Sequence, residues 1–195
     1  MKKFVTIIPM IPSNKQGGGN VKLFIKFDLV ILLALVLFGC NSQEVDRPGI
    51  TGYVMDKQEN EILVVAKEAQ DFRSTGGIPE FYNAVWFSNA PSEIAIGDYV
   101  NVWYDFVAES YPGQSEVKEI TAIPSEPPNG AILNESEILA QTLQSLELTG
   151  LYGVELIEFH ANSNVWRIIL KDLLFEDEES IELEVPDQII VEKKS

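Results

Sequence analysis

Cysteine and histidine are almost absent: the 195 residues contain one of each. A single cysteine excludes an internal disulfide framework and any cysteine-rich metal site. A single histidine excludes multi-histidine zinc and non-haem iron centres, and no cofactor is expected. Positive charge is scarce too. Fourteen Lys and Arg stand against 30 Asp and Glu, a formal charge of -16, so nothing in the chain suits nucleic-acid phosphates, which need basic clusters. What is present is a globular composition, 46% hydrophobic and 23% charged, in a length that suits one domain or two small ones.

The lone cysteine has a telling position. Residues 29–38, Leu-Val-Ile-Leu-Leu-Ala-Leu-Val-Leu-Phe, form an uncharged apolar run preceded by Lys22 and Lys26 and followed by Gly39-Cys40 and the polar Asn41-Ser42-Gln43. A basic flank, a short apolar core and a small residue at the cut describe a secretory signal peptide. The run falls short of the roughly 20 residues that span a bilayer. Leu37-Phe38-Gly39-Cys40 resembles a bacterial lipobox, in which the Cys40 thiol takes a diacylglyceryl group and cleavage falls between Gly39 and Cys40. Two acyl chains give stable anchoring where one is marginal. The plain alternative is an ordinary free cysteine at a helix end. Residues 1–20, with Pro9, Pro12 and Gln16-Gly17-Gly18-Gly19, fit a signal peptide poorly. They read either as an untranslated leader, with synthesis starting at Val21, or as part of a long signal peptide.

After a tether at residues 40–48, residues 49–124 read as strands. Ile50–Met55 and Ile62–Ala66 form a hairpin across a polar loop of five or six residues. Ala84–Ser88 is rich in β-formers and is stopped by Asn89-Ala90-Pro91. Tyr99–Val107 alternates with period two, and Val117–Ile123 is expected to pair with it. Five short strands in about 75 residues suggest a small OB-like or Greek-key β-barrel. Residues 125–130, with Pro127, Pro128 and Gly130, form a linker. Residues 131–192 then read as an α+β unit. Asn134 and Glu137 make a capping box before Ile138, Leu139, Thr142, Leu143 and Leu146 at helical spacing. The strands Val154–His160, Val165–Lys171 and Ser180–Val185 come next as a meander. The fold class expected is mainly β, a small barrel followed by one helix on a three-stranded antiparallel sheet. So small a second unit is expected to lean on the first.

Several segments of residues 49–124 carry a resemblance. Gly52-Tyr53-Val54, Ile62-Leu63-Val64-Val65, Ser74–Tyr82, Ala84–Ser88, Gly97-Asp98-Tyr99-Val100, Val102-Trp103-Tyr104-Asp105 and Ser110-Tyr111-Pro112-Gly113-Gln114 resemble the YobA-like family (domain of unknown function 3221). The resemblance implies a small β-barrel-like domain and a small exported lipoprotein of a Gram-positive, spore-forming bacterium. It implies no activity.

Candidate chemistry is thin. His160 could pair with Ser163 or Ser180, but there is no nucleophile-elbow sequence, and an exposed strand-end histidine is the plainer reading. The run Glu176-Asp177-Glu178-Glu179 could hold Ca²⁺, yet it lacks the alternating ligands of an EF-hand and reads more simply as a solvated acidic turn. Asp105 and Glu109 could serve a glycosidase, although carboxylates are so abundant that the pair says little. The aromatics are the better lead. Trp86 and Trp103 share a face if their segments are strands, with Phe81, Tyr82 and Tyr111 on nearby loops. These rings read as a ligand face or, more plainly, as core or a dock for the C-terminal unit. Tyr111-Pro112-Gly113-Gln114 has the form of a β-turn and would rim such a site. Ser74–Gly77 reads as a flexible loop beside it.

The function expected is that of a membrane-anchored extracytoplasmic lipoprotein, a non-enzymatic binding or interaction module. An accessory regulator acting on a membrane partner through the C-terminal unit is an alternative, and a cell-surface hydrolase using carboxylates is another. Removal of residues 1–39 takes five lysines and one aspartate with it. The mature chain keeps 9 Lys and Arg against 29 Asp and Glu, a charge of -20. Such a body is repelled by anionic lipid within a Debye length of about 8–10 Å. The anchor at Cys40 must then hold it to the membrane, and its unknown protein or small-molecule partner is expected to be cationic.

Overall fold

Alternating side chains become a ladder of short strands in the computed structural model, which describes residues 47–146, 148–175 and 180–190. The signal run, Gly39, Cys40 and the acidic run 176–179 lie outside the described residues. Strands β1 (Ile50–Gln58) and β2 (Glu61–Ala66) form an antiparallel hairpin, β3 (Ala84–Ser88) adds to β2, and β4 (Tyr99–Trp103) adds to the other side of β1. Strand β5 (Gly113–Glu116) runs parallel to β3, and β6 (Glu119–Ala122) pairs antiparallel with β4. The six-stranded order is β5-β3-β2-β1-β4-β6.

Period-two patterning gives this sheet two apolar faces. Ile50, Val54, Ile62, Val64, Val85, Phe87, Val100 and Val102 fill the inner core. Tyr53, Met55, Leu63, Val65 and Ala84 point the other way. A register shift between Val54 and Asp56 places Asp56 opposite Leu63, on that outer face. Close strand contact also demands a glycine. A Cβ on Gly52 would sit 2.0 Å from the Val65 carbonyl oxygen.

The mainly β expectation holds, but the barrel does not close. Strands β5 and β6 lie at opposite edges of the sheet, yet only Val117 and Lys118 separate them. Val117 N–H donates to the Ser88 carbonyl (3.1 Å) and Lys118 N–H to the Trp103 carbonyl (2.9 Å). The sheet is therefore curled until its edges meet across two residues. The closing segment runs along β3, then crosses to β4, and among the described residues no strand pairs with both edges. The segment expected as one strand, Val117–Ile123, is β6 with a separate β5 before it. Strand β4 ends at Trp103 rather than Val107. The first hairpin turns at Glu59-Asn60, with Glu59 at φ 51, because β1 runs three residues beyond Met55.

Beyond the linker, the Asn134–Glu137 capping box forms in full and starts helix α1 (Glu135–Ser145). Strands β7 (Tyr152–His160), β8 (Val165–Asp172) and β9 (Ile181–Pro186) make the expected antiparallel meander. Asn164, at φ 54, turns the chain between the first two, a backbone region that asparagine tolerates. Ile138 and Leu139 of α1 and Trp166, Ile168 and Leu170 of β8 share one core with the outer face of the large sheet. The helix approaches closely at Gly97 (φ +89), where a Cβ would lie 2.3 Å from the Ser136 carbonyl oxygen. Among the described residues no helix is long and apolar enough to cross a membrane.

Candidate functional site

The loop between β2 and β3 is a second, irregular hairpin. Gln70 pairs with Phe81, and Phe72 N–H donates to the Ile78 carbonyl. Its tip is a 3₁₀ turn at Arg73–Thr75 capped by Gly76 in the left-handed region (φ 85), and an Asp71–Arg73 ion pair braces it. The expected flexible loop at Ser74–Gly77 is this tip. The hairpin presents Ile78, Glu80 and Phe81 toward Tyr111, which enters from the loop before β5.

The rings form a continuous series. Phe72 and Phe81 meet edge-on with centroids 5.6 Å apart, and Phe81 and Tyr111 are tilted at 5.5 Å, both favourable aromatic geometries. Tyr111 Oη donates to the Tyr82 carbonyl at 3.0 Å. Burial pushes the Tyr111 phenol up to about 12. Burial raises Tyr82 as well, against the opposing pull of Lys171. The far wall comes from the end of β8. Lys171 donates to Glu80, 91 residues earlier, and its ammonium lies 5.9 Å from the Tyr82 ring centroid. The Glu80 hydrogen bond holds the Lys171 ammonium above the ordinary lysine range. Together with Asp172 and Leu173 these residues enclose a cleft of about 400 Å³, within the size range of small-molecule sites. The cleft offers an aromatic wall and one ion pair, chemistry suited to holding a small ligand.

The expected ligand face divides. Tyr82 and Tyr111 line this cleft. Pro112 and Trp86 line a neighbouring apolar one of about 440 Å³, with Met55, Leu143 and Leu151. Gln114 and Trp86 line a third, polar cleft of about 420 Å³. Gly113, expected in a turn, is a buried residue of β5, where a Cβ would lie 2.6 Å from Val107 Cγ2. Trp103 lies on the same side of the sheet as Trp86 but not at the same site. The ladder sets Trp86 level with Asp56, whereas Trp103 comes after Val102, the partner of Ile50. The two indoles therefore stand on different rungs of the sheet, and Trp103 lines none of these three clefts.

The remaining candidates lie elsewhere. His160 Nε2 is 3.9 Å from Glu158, the Ser163 hydroxyl donates to the His160 carbonyl, and Ser180 donates to Glu155. Asp105 is paired with Lys118 at 2.6 Å. Sequence reasoning missed Glu80 and Lys171, because nothing local marks a pair that far apart in the chain. One signal was available at the strand's end. Strand β8 alternates so that Trp166, Ile168, Leu170 and Asp172 point inward, and an acid at an inward position invites a search for what it serves.

Residues 51–124 match the model of the family described as a protein of unknown function (DUF3221), about two fifths of the chain. No curated protein and no solved structure matches the chain.

Proposed function

We propose that this DUF3221-containing chain is a lipid-anchored extracytoplasmic binding module. Cys40 carries the anchor, and the Tyr82–Tyr111–Lys171 cleft holds the ligand. One observation carries the reading. The DUF3221 segment and the C-terminal sheet contribute opposite walls of the cleft, joined by the Lys171–Glu80 pair. Glu80 is the more exposed partner, at 59% against 28% for Lys171. An incoming cation meets the carboxylate first and lies against the faces of Phe81 and Tyr111, where cation–π attraction adds to the pairing. The strongly acidic mature chain favours the same sign of partner through its long-range field. The lipobox-like segment ending at Cys40 supports the location.

Two measurements test the proposal. Metabolic labelling with radioactive palmitate should mark the wild type in the membrane fraction, and Cys40→Ser should lose the label and leave that fraction. A photo-crosslinking side chain at position 111 should give a discrete adduct on intact cells that Glu80→Gln reduces several-fold without lowering the melting temperature. Retention of Cys40→Ser in the membrane would overturn the anchor. An adduct indifferent to Glu80→Gln would overturn the site.

A further inference from the structure

The outer face of the large sheet carries a second arrangement, at the edge that α1 and the small sheet leave open. The register brings four side chains into one rung, Asp56, Leu63, Trp86 and Gln114. The next rung pairs Gln58 with Glu61 and Ser88 with Glu116. Gln58, Glu61 and Gln114 are exposed, and Ser88 is half-buried. The half-buried indole of Trp86 stands among them and helps line a cleft of about 420 Å³. On its other flank Trp86 packs against the apolar core, so the ring is held in place by the fold.

The donor set decides the ligand class. No lysine or arginine lines this cleft, and Asp56 stands on the first of these rungs and Glu61 and Glu116 on the second, which excludes phosphate and carboxylate ligands on charge alone. Amides and hydroxyls both donate and accept, and a carboxylate accepts only. Two amides, two serine hydroxyls and a carboxylate line the cleft with the indole. Gln58 Nε2 donates to Asp56, and the hydroxyls of Ser88 and Ser115 donate to backbone carbonyls. Gln114 is therefore the principal donor, with the hydroxyl oxygens and Glu61 as acceptors, a set that matches a ligand with many neutral hydroxyls and one apolar face. A pyranose ring has that form: its axial C–H face lies on the indole and its equatorial hydroxyls point outward. From Gln58 on β1 to Gln114 on β5 the platform crosses three inter-strand spacings, about 14 Å, which is room for more than one ring in a row. We propose that this Trp86 platform is a saccharide-binding site, taking a neutral oligosaccharide, and that it is separate from the Tyr111 cleft.

The test is a calorimetric and tryptophan-fluorescence titration of the full chain with cellotetraose and with the tetramer of N-acetylglucosamine. At least one should bind saturably and shift the emission. Gln114→Ala, at an exposed edge position, should weaken binding about 3- to 10-fold, the effect of one neutral hydrogen bond, without changing the melting temperature. Trp86→Phe should keep the fold and weaken binding further. Lys171→Ala should leave binding unchanged. The absence of saturable binding by both sugars at millimolar concentration, or binding indifferent to Gln114→Ala and Trp86→Phe, would overturn the proposal. So would binding lost on Lys171→Ala, which would move the sugar to the other cleft. The wild-type crosslink from position 111 is read independently of all these outcomes.

Discussion

Asp187 offers the sharpest test of how the C-terminal half is held together. It lies just after β9, is 2% exposed, and accepts three hydrogen bonds. Oδ1 takes Leu133 N–H (3.1 Å) and Trp166 Nε1–H (3.0 Å), and Oδ2 takes Ile132 N–H (2.6 Å). One carboxylate thus ties the chain end to the residues just before α1 and to the largest fully buried ring of the core. Burial by itself would raise the Asp187 pKa, but the donors of Ile132, Trp166 and Leu133 outweigh it and the net direction is down. A carboxylate held below its unfolded value, near 3.9, contributes stability above that pH and loses it as pH falls through the folded value. Asp187→Ala strands two donors in fully buried positions and a third that water partly reaches. At about 1–3 kcal/mol for each buried unpaired group, the expected cost is about 2–6 kcal/mol, a large part of a typical domain's total. Asp187→Asn keeps one acceptor oxygen and sets an amide N–H against a donor, for about 1–3 kcal/mol. Urea unfolding of wild type and Asp187→Asn at pH 7 and near pH 3 separates the effects. The difference should be largest at pH 7 and shrink in acid, because below about 3.9 the unfolded chain of the wild type takes up a proton that the folded carboxylate resists, and the wild type alone loses that stability. A difference below about 0.5 kcal/mol at pH 7, the range of an ordinary surface change, or one that does not vary with pH, would refute the reasoning.

The geometry sets two further outcomes. Gly52→Ala forces a Cβ to 2.0 Å from the Val65 carbonyl oxygen; since that neighbour is backbone, β1 and β2 must part, and a loss of about 1–3 kcal/mol or more is expected in thermal unfolding, an unchanged melting temperature being the contrary result. Tyr111→Phe should remove, from the ultraviolet titration of the tyrosines, a step centred at about 12; loss of a step at the ordinary value near 10 would show that the ring is solvated and the cleft open at that wall.

The elements with a strong local pattern were legible in the sequence, and those defined by distant partners were not. Asn134 and Glu137 announce α1 because both halves of the capping box lie within four residues. Asn89 and Asn164 stop or turn strands through their own tolerance of the left-handed region. Strand β5, Gly-Gln-Ser-Glu, carries no β signature. It is a strand only because β3 lies alongside it and because the preceding loop closes its other edge, with Ala108 N–H donating to the Gln114 carbonyl and Ser115 Oγ to the Phe106 carbonyl. The placing of the aromatics was legible only in part, for a similar reason. Alternation assigns Trp86 and Trp103 to one side correctly, but the distance between them depends on the β1 register on each flank, which alternation does not encode. Tyr82 and Tyr111 were named from their loops beside the expected strands and from the family resemblance, whereas Lys171 and Glu80 needed the fold.

The layering of the cores links the matched family segment to the helix and small sheet of the C-terminal unit. Tyr53, Met55, Leu63, Val65, Tyr82 and Ala84 all belong to residues 51–124, and all are buried in a core that they share with Ile138, Leu139, Leu151, Val154, Trp166 and Leu170. Without α1 and β7–β9 that face would be open to water, a contiguous apolar patch of the kind soluble proteins cover or use. Tyr53 binds the two parts further. Its hydroxyl donates to Glu135 at 2.7 Å, and Lys67 lies 3.8 Å from the same carboxylate while facing the Tyr53 and Tyr99 rings. The Tyr82–Tyr111–Lys171 cleft lies where these two parts meet. Its near wall is set by the β2–β3 hairpin and its far wall by β8, so whatever loosens the shared core also moves Lys171 away from Glu80. The binding proposed for that cleft thus depends on the shared core, and the Trp86 platform, although it draws its polar groups from β1, β2, β3 and β5, rests its indole on that same core.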